Sequence, residues 1–220
     1  MTTAIIGTGN IGGQVARHLV SGGERVVLAA RDESHAAALA DELGPLARAA
    51  PVRQAIEEAD TVVLAVWLDT TKELIAQNGD VLRDKVVIDP SNPITADGKG
   101  GMARTLPDGE SAGSVVAGLL PEDAHFVKAF GSLGAEALAS SSNRQPRRAV
   151  LFYATDDDRA AATAERIIAT AGFDPVKAGG LNDAIRIEVF GDLHQFGGLN
   201  GSVIDSDEAR AAVAAVPATA

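Results

Sequence analysis

The sequence predicts an α/β fold with a doubly wound parallel sheet, and three observations support this prediction. Apolar runs alternate with segments of helical periodicity over the first 130 residues, which is the order expected when helices cover both faces of a parallel sheet. The run T-V-V-L-A-V at 61–66 is apolar along its length, as in a strand that is buried on both faces. A glycine-rich turn joins the first apolar run to the first helical segment.

This turn, G-T-G-N-I-G, matches the pattern G-x-G-x-x-G of a Rossmann-type fold. In a strand–turn–helix context, Gly7 permits a tight turn, Gly9 lets a pyrophosphate approach the backbone, and Gly12 lets the helix pack closely on the strand. The amides of Asn10 and Ile11 would then lie at the helix N-terminus, where free N–H groups favour an anion. A turn that merely reverses the chain is the alternative, but the flanking elements favour dinucleotide binding.

The end of the second predicted strand, Arg25–Ala29, indicates NADP(H) as the dinucleotide. NAD-binding units usually have an acidic residue here for the ribose 2′-hydroxyl. This chain has Ala30 followed by Arg31, so a 2′-phosphate would meet a guanidinium and no carboxylate at the strand end. We expect Asp32 to turn into the start of the next helix, where the helix dipole favours an acid. Alternatively, Arg31 is a solvated surface residue.

Further candidates follow the later strands, because ligands of open α/β sheets bind outside the carboxyl ends of the strands. Trp67, the sole tryptophan, follows the run at 61–66, and we predict that Trp67 and Ala65 belong to the cofactor site. Packing at the core edge is the alternative for Trp67. Asn92 follows the strand V-V-I-D and could bind the nicotinamide carboxamide or a substrate carbonyl, or simply form the turn.

The composition limits the classes of partner. The chain has 220 residues and a net charge of −11, and so acidic a surface repels phosphate backbones and anionic lipids. We therefore expect a small-molecule or cofactor substrate, with neither nucleic acid nor membrane as a partner.

The absence of cysteine excludes disulfides, thiolate catalysis and cysteine-bound metal, and no metal site is predicted. Without a signal peptide or a run of roughly 20 apolar residues, a cytoplasmic location is expected.

We expect three parts along the chain. They are a Rossmann-type NADP-binding domain at 1–139, a small C-terminal strand–helix–strand–helix extension at 140–205, and a tail at 206–220. The boundary is the basic segment S-S-S-N-R-Q-P-R-R, which is either a solvated hinge or a contact for an anionic ligand.

Two more segments carry functional expectations. The segment 94–111 is rich in glycine and charged residues, and a loop of this length in a compact domain is usually functional or mobile. The last long helix is predicted over 183–196 and carries His194, a candidate proton donor because histidine is the usual general acid. Core packing is the alternative role for His194.

Several segments together resemble the NADPH-dependent coenzyme F-420 reductase family. They are G-T-G-N-I-G, A-R-D, V-V-I-D-P-S-N-P, V-K-A-F-G-S-L-G-A-E, F-Y-A-T-D-D and V-K-A-G-G-L-N-D-A-I-R-I-E. The resemblance extends to about residue 200 and is shared with the cytoplasmic oxidoreductase domain of six-transmembrane ferric reductases. It implies an NADP-dependent oxidoreductase that moves a hydride between NADP(H) and the deazaflavin coenzyme F-420 or a flavin-like acceptor.

The resemblance also assigns cofactor contacts by position. Thr8, Gly9, Asn10 and Ile11 would line the pyrophosphate, and Arg31 would meet the 2′-phosphate. Some members have serine before this arginine and a basic residue a few places after it. The present chain has Ala30 and His35 at these places.

Hydride transfer between two flat heterocycles requires alignment more than acids or bases, because the cofactors carry the chemistry. Reduction of a small carbonyl or imine is an alternative and would need a proton donor such as His194 or Asp192. Dehydrogenases of the β-hydroxyacid type use a lysine from a long helical domain, for which the residues after Arg148 are too few. A non-catalytic NADP-binding module is a third possibility.

We expect a homodimer formed through an apolar helix face.

Overall fold

The computed structural model describes residues 2–98 and 101–215. The strands are β1 (Thr2–Ile6), β2 (Arg25–Ala29), β3 (Ala47–Ala49), β4 (Thr61–Leu64), β5 (Val86–Asp89), β6 (Ile94–Ala96), β7 (Met102–Arg104), β8 (His125–Ala129), β9 (Val150–Ala154) and β10 (Asp174–Gly179). The α-helices are α1 (Asn10–Ser21), α2 (Glu33–Leu43), α3 (Val52–Glu58), α4 (Leu68–Asn78), α5 (Ala112–Ala117), α6 (Ala135–Ser141), α7 (Asp158–Thr170), α8 (Ala184–Ile187) and α9 (Ser206–Ala214).

The main sheet has the strand order β10-β9-β8-β5-β4-β1-β2-β3. The six strands from β8 to β3 are parallel to one another, which confirms the predicted doubly wound sheet. β9 pairs with β8 in the antiparallel sense, and β10 runs parallel to β9. The chain moves from β1 outward to β2 and β3, then returns to β4 on the other side of β1. Such a reversal creates the crevice in which doubly wound folds bind ligands.

Two layers of buried side chains cover the two faces of the sheet. Successive strand residues alternate between them: Ile5 belongs to the buried cluster that includes residues of α1, α2 and α7, and Ile6 belongs to the cluster that includes residues of α3, α4 and α5. This period of two is the geometric consequence of a pleated strand. Because both layers are apolar, the polar residues of the parallel strands are concentrated at the strand ends.

The C-terminal strands β9 and β10 extend the main sheet. A third cluster of buried residues packs α8 and α9 against them. The basic segment before β9 helps to hold α9, because Arg147 forms ion pairs of 2.9 Å with Asp205 and Asp207. The separate domain at 140–205 stays a prediction. No helix within the described ranges is both long and apolar enough to span a bilayer.

Two expectations on secondary structure are corrected. The segment 94–111 contains β6 and β7, which pair in the antiparallel sense, whereas we expected a loop; residues 99 and 100 of this segment lie outside the described residues. The predicted helix at 183–196 is wrong, since α8 ends at Ile187 and tight turns follow. In these turns, backbone segments approach one another closely. A Cβ at Gly191 would lie 2.3 Å from the carbonyl oxygen of Arg186. A Cβ at Gly197 would lie 2.0 Å from the carbonyl oxygen of Gly191. Glycine permits such an approach and a continuous helix does not.

Candidate active site

The turn between β1 and α1 has the conformation for which its glycines are suited. Gly7 has a φ of +101°, and a Cβ at this position would lie 2.4 Å from the carbonyl oxygen of Ala65. A Cβ at Gly12 would lie 1.9 Å from the carbonyl oxygen of Gly7. A Cβ at Gly9, in contrast, would meet no atom within 4 Å. The fold therefore requires Gly7 and Gly12, while Gly9 borders open space.

The N-terminus of α1 opens onto this space without a capping side chain. Gly9 is its N-cap residue, and no side chain in the described part of the chain caps it. In contrast, Asp32 caps α2 and Asp157 caps α7 through their carboxylates. The first N–H groups of a helix have no partner within the helix. Those of Asn10 and Ile11 are thus available to an anion, and the helix dipole adds to the attraction.

A cavity of about 460 Å³ lies beside the end of β2. Its walls include Thr8, Gly9, Ala30, Arg31, Asp32 and His35. The Asp32 carboxylate accepts hydrogen bonds from the backbone N–H of Ser34 at 3.0 Å and from its hydroxyl at 2.6 Å. It therefore turns into α2, as predicted. Arg31 is exposed and forms no ion pair with any residue that the structure describes, so its guanidinium can bind a phosphate without breaking an existing contact.

A larger cleft of about 850 Å³ shares Gly9 and Arg31 with this cavity and extends over the ends of β4 and β5. Five large apolar residues are exposed in the described chain, and four of them line this cleft: Trp67 at 62%, Met102 at 54%, Phe190 at 52% and Phe196 at 58%. A concentration of exposed aromatic surface in one concave site is typical of a site for a planar ligand.

The structure brings the predicted cofactor-binding residues together. Gly7, Gly9, Asn10, Ile11, Arg31, Ala65, Trp67 and Asn92 line the large cleft, and Thr8 lines the smaller cavity. Gly12 lies beneath the turn and supports its packing. Trp67 is the N-cap residue of α4 and is too exposed for a core residue, which favours the ligand-binding interpretation over packing.

The Asn92 side chain lines the cleft but is already engaged in the fold. Its Nδ2 donates to the carbonyl oxygen of Gly131 at 3.0 Å, and its Oδ1 accepts from the backbone N–H of Val189 at 2.7 Å. The amide thereby ties the ends of β5 and β8 to the segment after α8. This contact favours the structural role that we considered for Asn92 in a turn.

A buried ionic group that the sequence did not predict lies beneath the cleft. The ammonium of Lys128 lies 2.6 Å from the carboxylate of Asp89 and 3.6 Å from that of Glu188. All three side chains are 1% exposed or less. Lys128 also donates to the backbone carbonyl of Ser91. The signal in the sequence was a lysine among the apolar residues that follow His125 in the strand H-F-V-K-A, since a buried charge requires a partner.

Glu188 connects this group to the neighbouring helix. Its two carboxylate oxygens accept from the backbone N–H groups of Ala112 at 3.0 Å and Gly113 at 2.8 Å. These amides belong to the first turn of α5, where a carboxylate is stabilised. The ionic group therefore joins β5, β8, α5 and the segment after α8 under one wall of the cleft.

His194 lines the cleft but is 2% exposed. Its Nδ1 lies 3.0 Å from the backbone nitrogen of Phe196, from which it accepts a hydrogen bond. This geometry places the proton of the neutral imidazole on Nε2. Burial lowers the pKa of His194 to about 4. The imidazole is therefore neutral at pH 7 and is a poor proton donor there.

Asp192, the other candidate acid, is paired with Arg186. The closest distance between their charged groups is 2.8 Å, and Asp192 is absent from the residues that line the large cleft. The structure therefore places Asp192 in an ion pair outside the lining of the large cleft, where it is not available as the proton donor that we considered for a carbonyl or imine substrate.

Comparison with known proteins identifies the family. Residues 2–93 match the family described as NADP oxidoreductase, coenzyme F420-dependent. The chain is 30% identical over 202 residues to the F420-dependent NADP reductase of Methanothermobacter thermautotrophicus, and the match covers 86% of this chain and 85% of that protein.

Solved structures agree with the fold. A hypothetical protein from Sinorhizobium meliloti is 28% identical, with a TM-score of 0.79 over 88% of this chain and 93% of its own. An imine reductase from Bacillus cereus is 17% identical, with a TM-score of 0.58 over 83% of this chain and 56% of its own, and shares the fold. The likeness to the Methanothermobacter enzyme, together with the dinucleotide turn, shows that this chain belongs to the F420-dependent NADP reductase family and is an NADP-dependent oxidoreductase.

Proposed function

We propose that this protein transfers a hydride between NADP(H) and coenzyme F420, with both ring systems held in the large cleft. One observation carries the proposal: the cleft leads from the uncapped N-terminus of α1 into a cavity lined by Trp67, Phe190 and Phe196. An anion site that continues into an aromatic cavity suits a phosphorylated dinucleotide beside a second planar ligand.

In this proposal the NADP(H) phosphates occupy the two polar ends of the site. The pyrophosphate accepts hydrogen bonds from the free N–H groups of Asn10 and Ile11, above the open space at Gly9. The 2′-phosphate lies in the smaller cavity against Arg31, with Thr8 and His35 nearby. With its phosphates held by these contacts, NADP(H) extends its nicotinamide ring into the large cleft, on the side of Ala65 and Trp67.

The chemistry of the cleft favours hydride transfer without acid–base catalysis. Among the described residues that line the large cleft, the ionisable ones are Arg31 and His194. We assign Arg31 to the 2′-phosphate, and burial keeps His194 neutral by lowering its pKa to about 4. NADP(H) and F420 supply the hydride donor and acceptor, and the protein aligns them. The proton that accompanies reduction of the deazaflavin is taken up from solvent at a ring nitrogen. A small carbonyl or imine substrate would lack a ready proton donor here.

A panel of acceptors tests the proposal. NADPH oxidation is measured anaerobically with F420, FMN, a quinone, a small ketone and a cyclic imine, under otherwise identical conditions. We expect F420 to give the highest kcat/KM. Turnover with the imine or ketone alone would contradict the proposal. NADPH binding, followed by quenching of Trp67 fluorescence, without oxidation by any acceptor would indicate a non-catalytic module.

A further inference from the structure

Ser91 lines the large cleft, and among the described lining residues it is the one whose side chain carries a buried hydroxyl without a hydrogen-bond partner. It follows β5 and is 5% exposed. A buried hydroxyl normally finds a hydrogen-bond partner, so an unpartnered one requires an explanation. The other side chains with unpartnered buried atoms, Thr71, Asp123, Ser132 and Arg166, do not line this cleft.

The backbone of Ser91 is fixed on both sides by the buried ionic group. Its N–H donates to Oδ1 of Asp89 at 3.0 Å, and its carbonyl oxygen accepts from Nζ of Lys128. The side chain of the next residue, Asn92, is bound to Gly131 and Val189. The hydroxyl of Ser91 is therefore left without a partner on a backbone that several buried contacts immobilise, as expected of a preorganised binding group.

The surroundings indicate what this hydroxyl binds. Two carboxylates and one ammonium lie beneath Ser91, so the buried group carries excess negative charge and disfavours an anionic ligand. A hydroxyl both donates and accepts a hydrogen bond, which suits an amide. Two ligands of the proposed function would bring an amide edge into the cleft: the nicotinamide carboxamide and the pyrimidinedione ring of the deazaflavin. The inference rests on that function.

We propose that Ser91 binds the carboxamide of the nicotinamide ring of NADP(H). β5 is separated from β1 by the single strand β4, a lateral distance of about 10 Å. A ribose and a nicotinamide ring extend over a comparable distance from a pyrophosphate placed at the end of β1. Ser91 thus takes the role that the sequence suggested for Asn92, whose own amide is engaged in the fold.

The test compares Ser91→Ala with Ser132→Ala in direct binding measurements. Ser132 is a matched control because it is 1% exposed and has an unpartnered hydroxyl outside the cleft lining. The ligands are NADPH and 2′-phospho-ADP-ribose, which is NADP without its nicotinamide. We expect Ser91→Ala to raise the Kd for NADPH by about 3- to 10-fold, the effect of one neutral hydrogen bond. Its Kd for 2′-phospho-ADP-ribose and both constants of Ser132→Ala should be unchanged.

Three results would overturn the assignment. Ser91→Ala could leave the Kd for NADPH unchanged, or it could weaken both ligands equally, as general damage to the site would. It could also raise only the KM for F420 at saturating NADPH, which would assign the hydroxyl to the deazaflavin. Both binding measurements omit the acceptor, so they remain valid if F420 proves not to be the substrate. Thermal unfolding should show both variants at least as stable as the unmodified protein, because each loses an unsatisfied hydroxyl.

Discussion

The ammonium of Lys128 lies 2.6 Å from the carboxylate of Asp89, with both side chains fully buried at the ends of neighbouring strands. This pair lies directly under the cleft wall, because Asp89 and Lys128 both contact the backbone of Ser91. The buried charges thus connect the stability of the fold to the shape of the site.

Replacement of Lys128 by methionine should destabilise the protein strongly. The substitution leaves Asp89 and Glu188 without their cation, and an uncompensated buried charge costs about 3–5 kcal/mol. Urea unfolding at pH 7.5 measures the change in the free energy of unfolding. Lys72→Met is the control, since Lys72 forms an exposed pair with Asp69, and such pairs contribute little. Equal changes in the free energy of unfolding of the two variants would show that the buried ion pair stabilises the fold no more than the exposed one.

Alanine at Gly9 and at Gly12 should have opposite effects on folding and binding. Gly9→Ala should fold normally but lose most NADPH affinity, because its Cβ enters the open space proposed for the pyrophosphate. Gly12→Ala should unfold at a lower temperature, because its Cβ would overlap the backbone of Gly7. Gly79→Ala is the control, since its Cβ would have an ordinary contact of 3.9 Å with Pro121. Thermal unfolding and NADPH titration test both effects, and normal NADPH binding by Gly9→Ala would refute the proposed phosphate site.

Arg31→Ala should change the choice of dinucleotide. Loss of a charge-assisted contact to the 2′-phosphate should raise the Kd for NADPH by roughly 10- to 100-fold and leave the Kd for NADH nearly unchanged. The control is Arg25→Ala, because Arg25 is exposed at the opposite end of β2. If both arginine variants bind NADPH equally well, Arg31 is an ordinary surface residue.

His194 should make stability depend on pH without being needed as an acid. The folded imidazole has a pKa of about 4 because of burial, compared with 6.5 when exposed. Between these two pKa values the unfolded state binds more protons than the folded state. The free energy of unfolding therefore rises with pH by up to about 3 kcal/mol, and this gain is complete above pH 6.5. Burial also lowers the pKa of His18, which adds to the same trend.

The variant His194→Gln separates these roles. Urea unfolding at several pH values from 4 to 7.5 should show a smaller slope than in the unmodified protein. The kcat/KM with F420 should remain within a few-fold, whereas loss of a general acid would lower it by about 100-fold or more. A 100-fold loss with an unchanged pH dependence of stability would therefore restore the acid–base interpretation.

The parts of the fold that the sequence could predict depend on local signals. The apolar runs predicted at Arg25–Ala29 and Val86–Asp89 are strands with these same bounds, because buried parallel strands are short and continuous. The glycine turn was equally recognisable, since its spacing reflects contacts within one strand–turn–helix unit. NADP(H) dependence followed from two adjacent residues, Ala30 and Arg31.

The parts that were missed depend on contacts between distant segments. The segment after α8 has enough apolar periodicity to suggest a helix, but Glu188 binds the first turn of α5 and the backbone N–H of Gln195 donates to the carbonyl of Ser132 at 3.0 Å. The position of Lys128 between two carboxylates likewise requires the strand order. Lys128 within an apolar run indicated that a buried partner exists, but the identity of its partners and the contacts of the segment after α8 depend on the fold. The cleft wall could therefore not be derived from periodicity.

Isotope transfer tests the central claim most directly. NADPH carrying deuterium on C4, prepared separately for each face of the ring, is mixed with F420 and the enzyme in ordinary water. The account predicts direct transfer, so that one of the two labelled forms delivers its deuterium to the reduced deazaflavin without loss to solvent. No reduction of F420, or a reduced product whose newly added hydrogen on C5 of the deazaflavin comes from water with either labelled form, would contradict it.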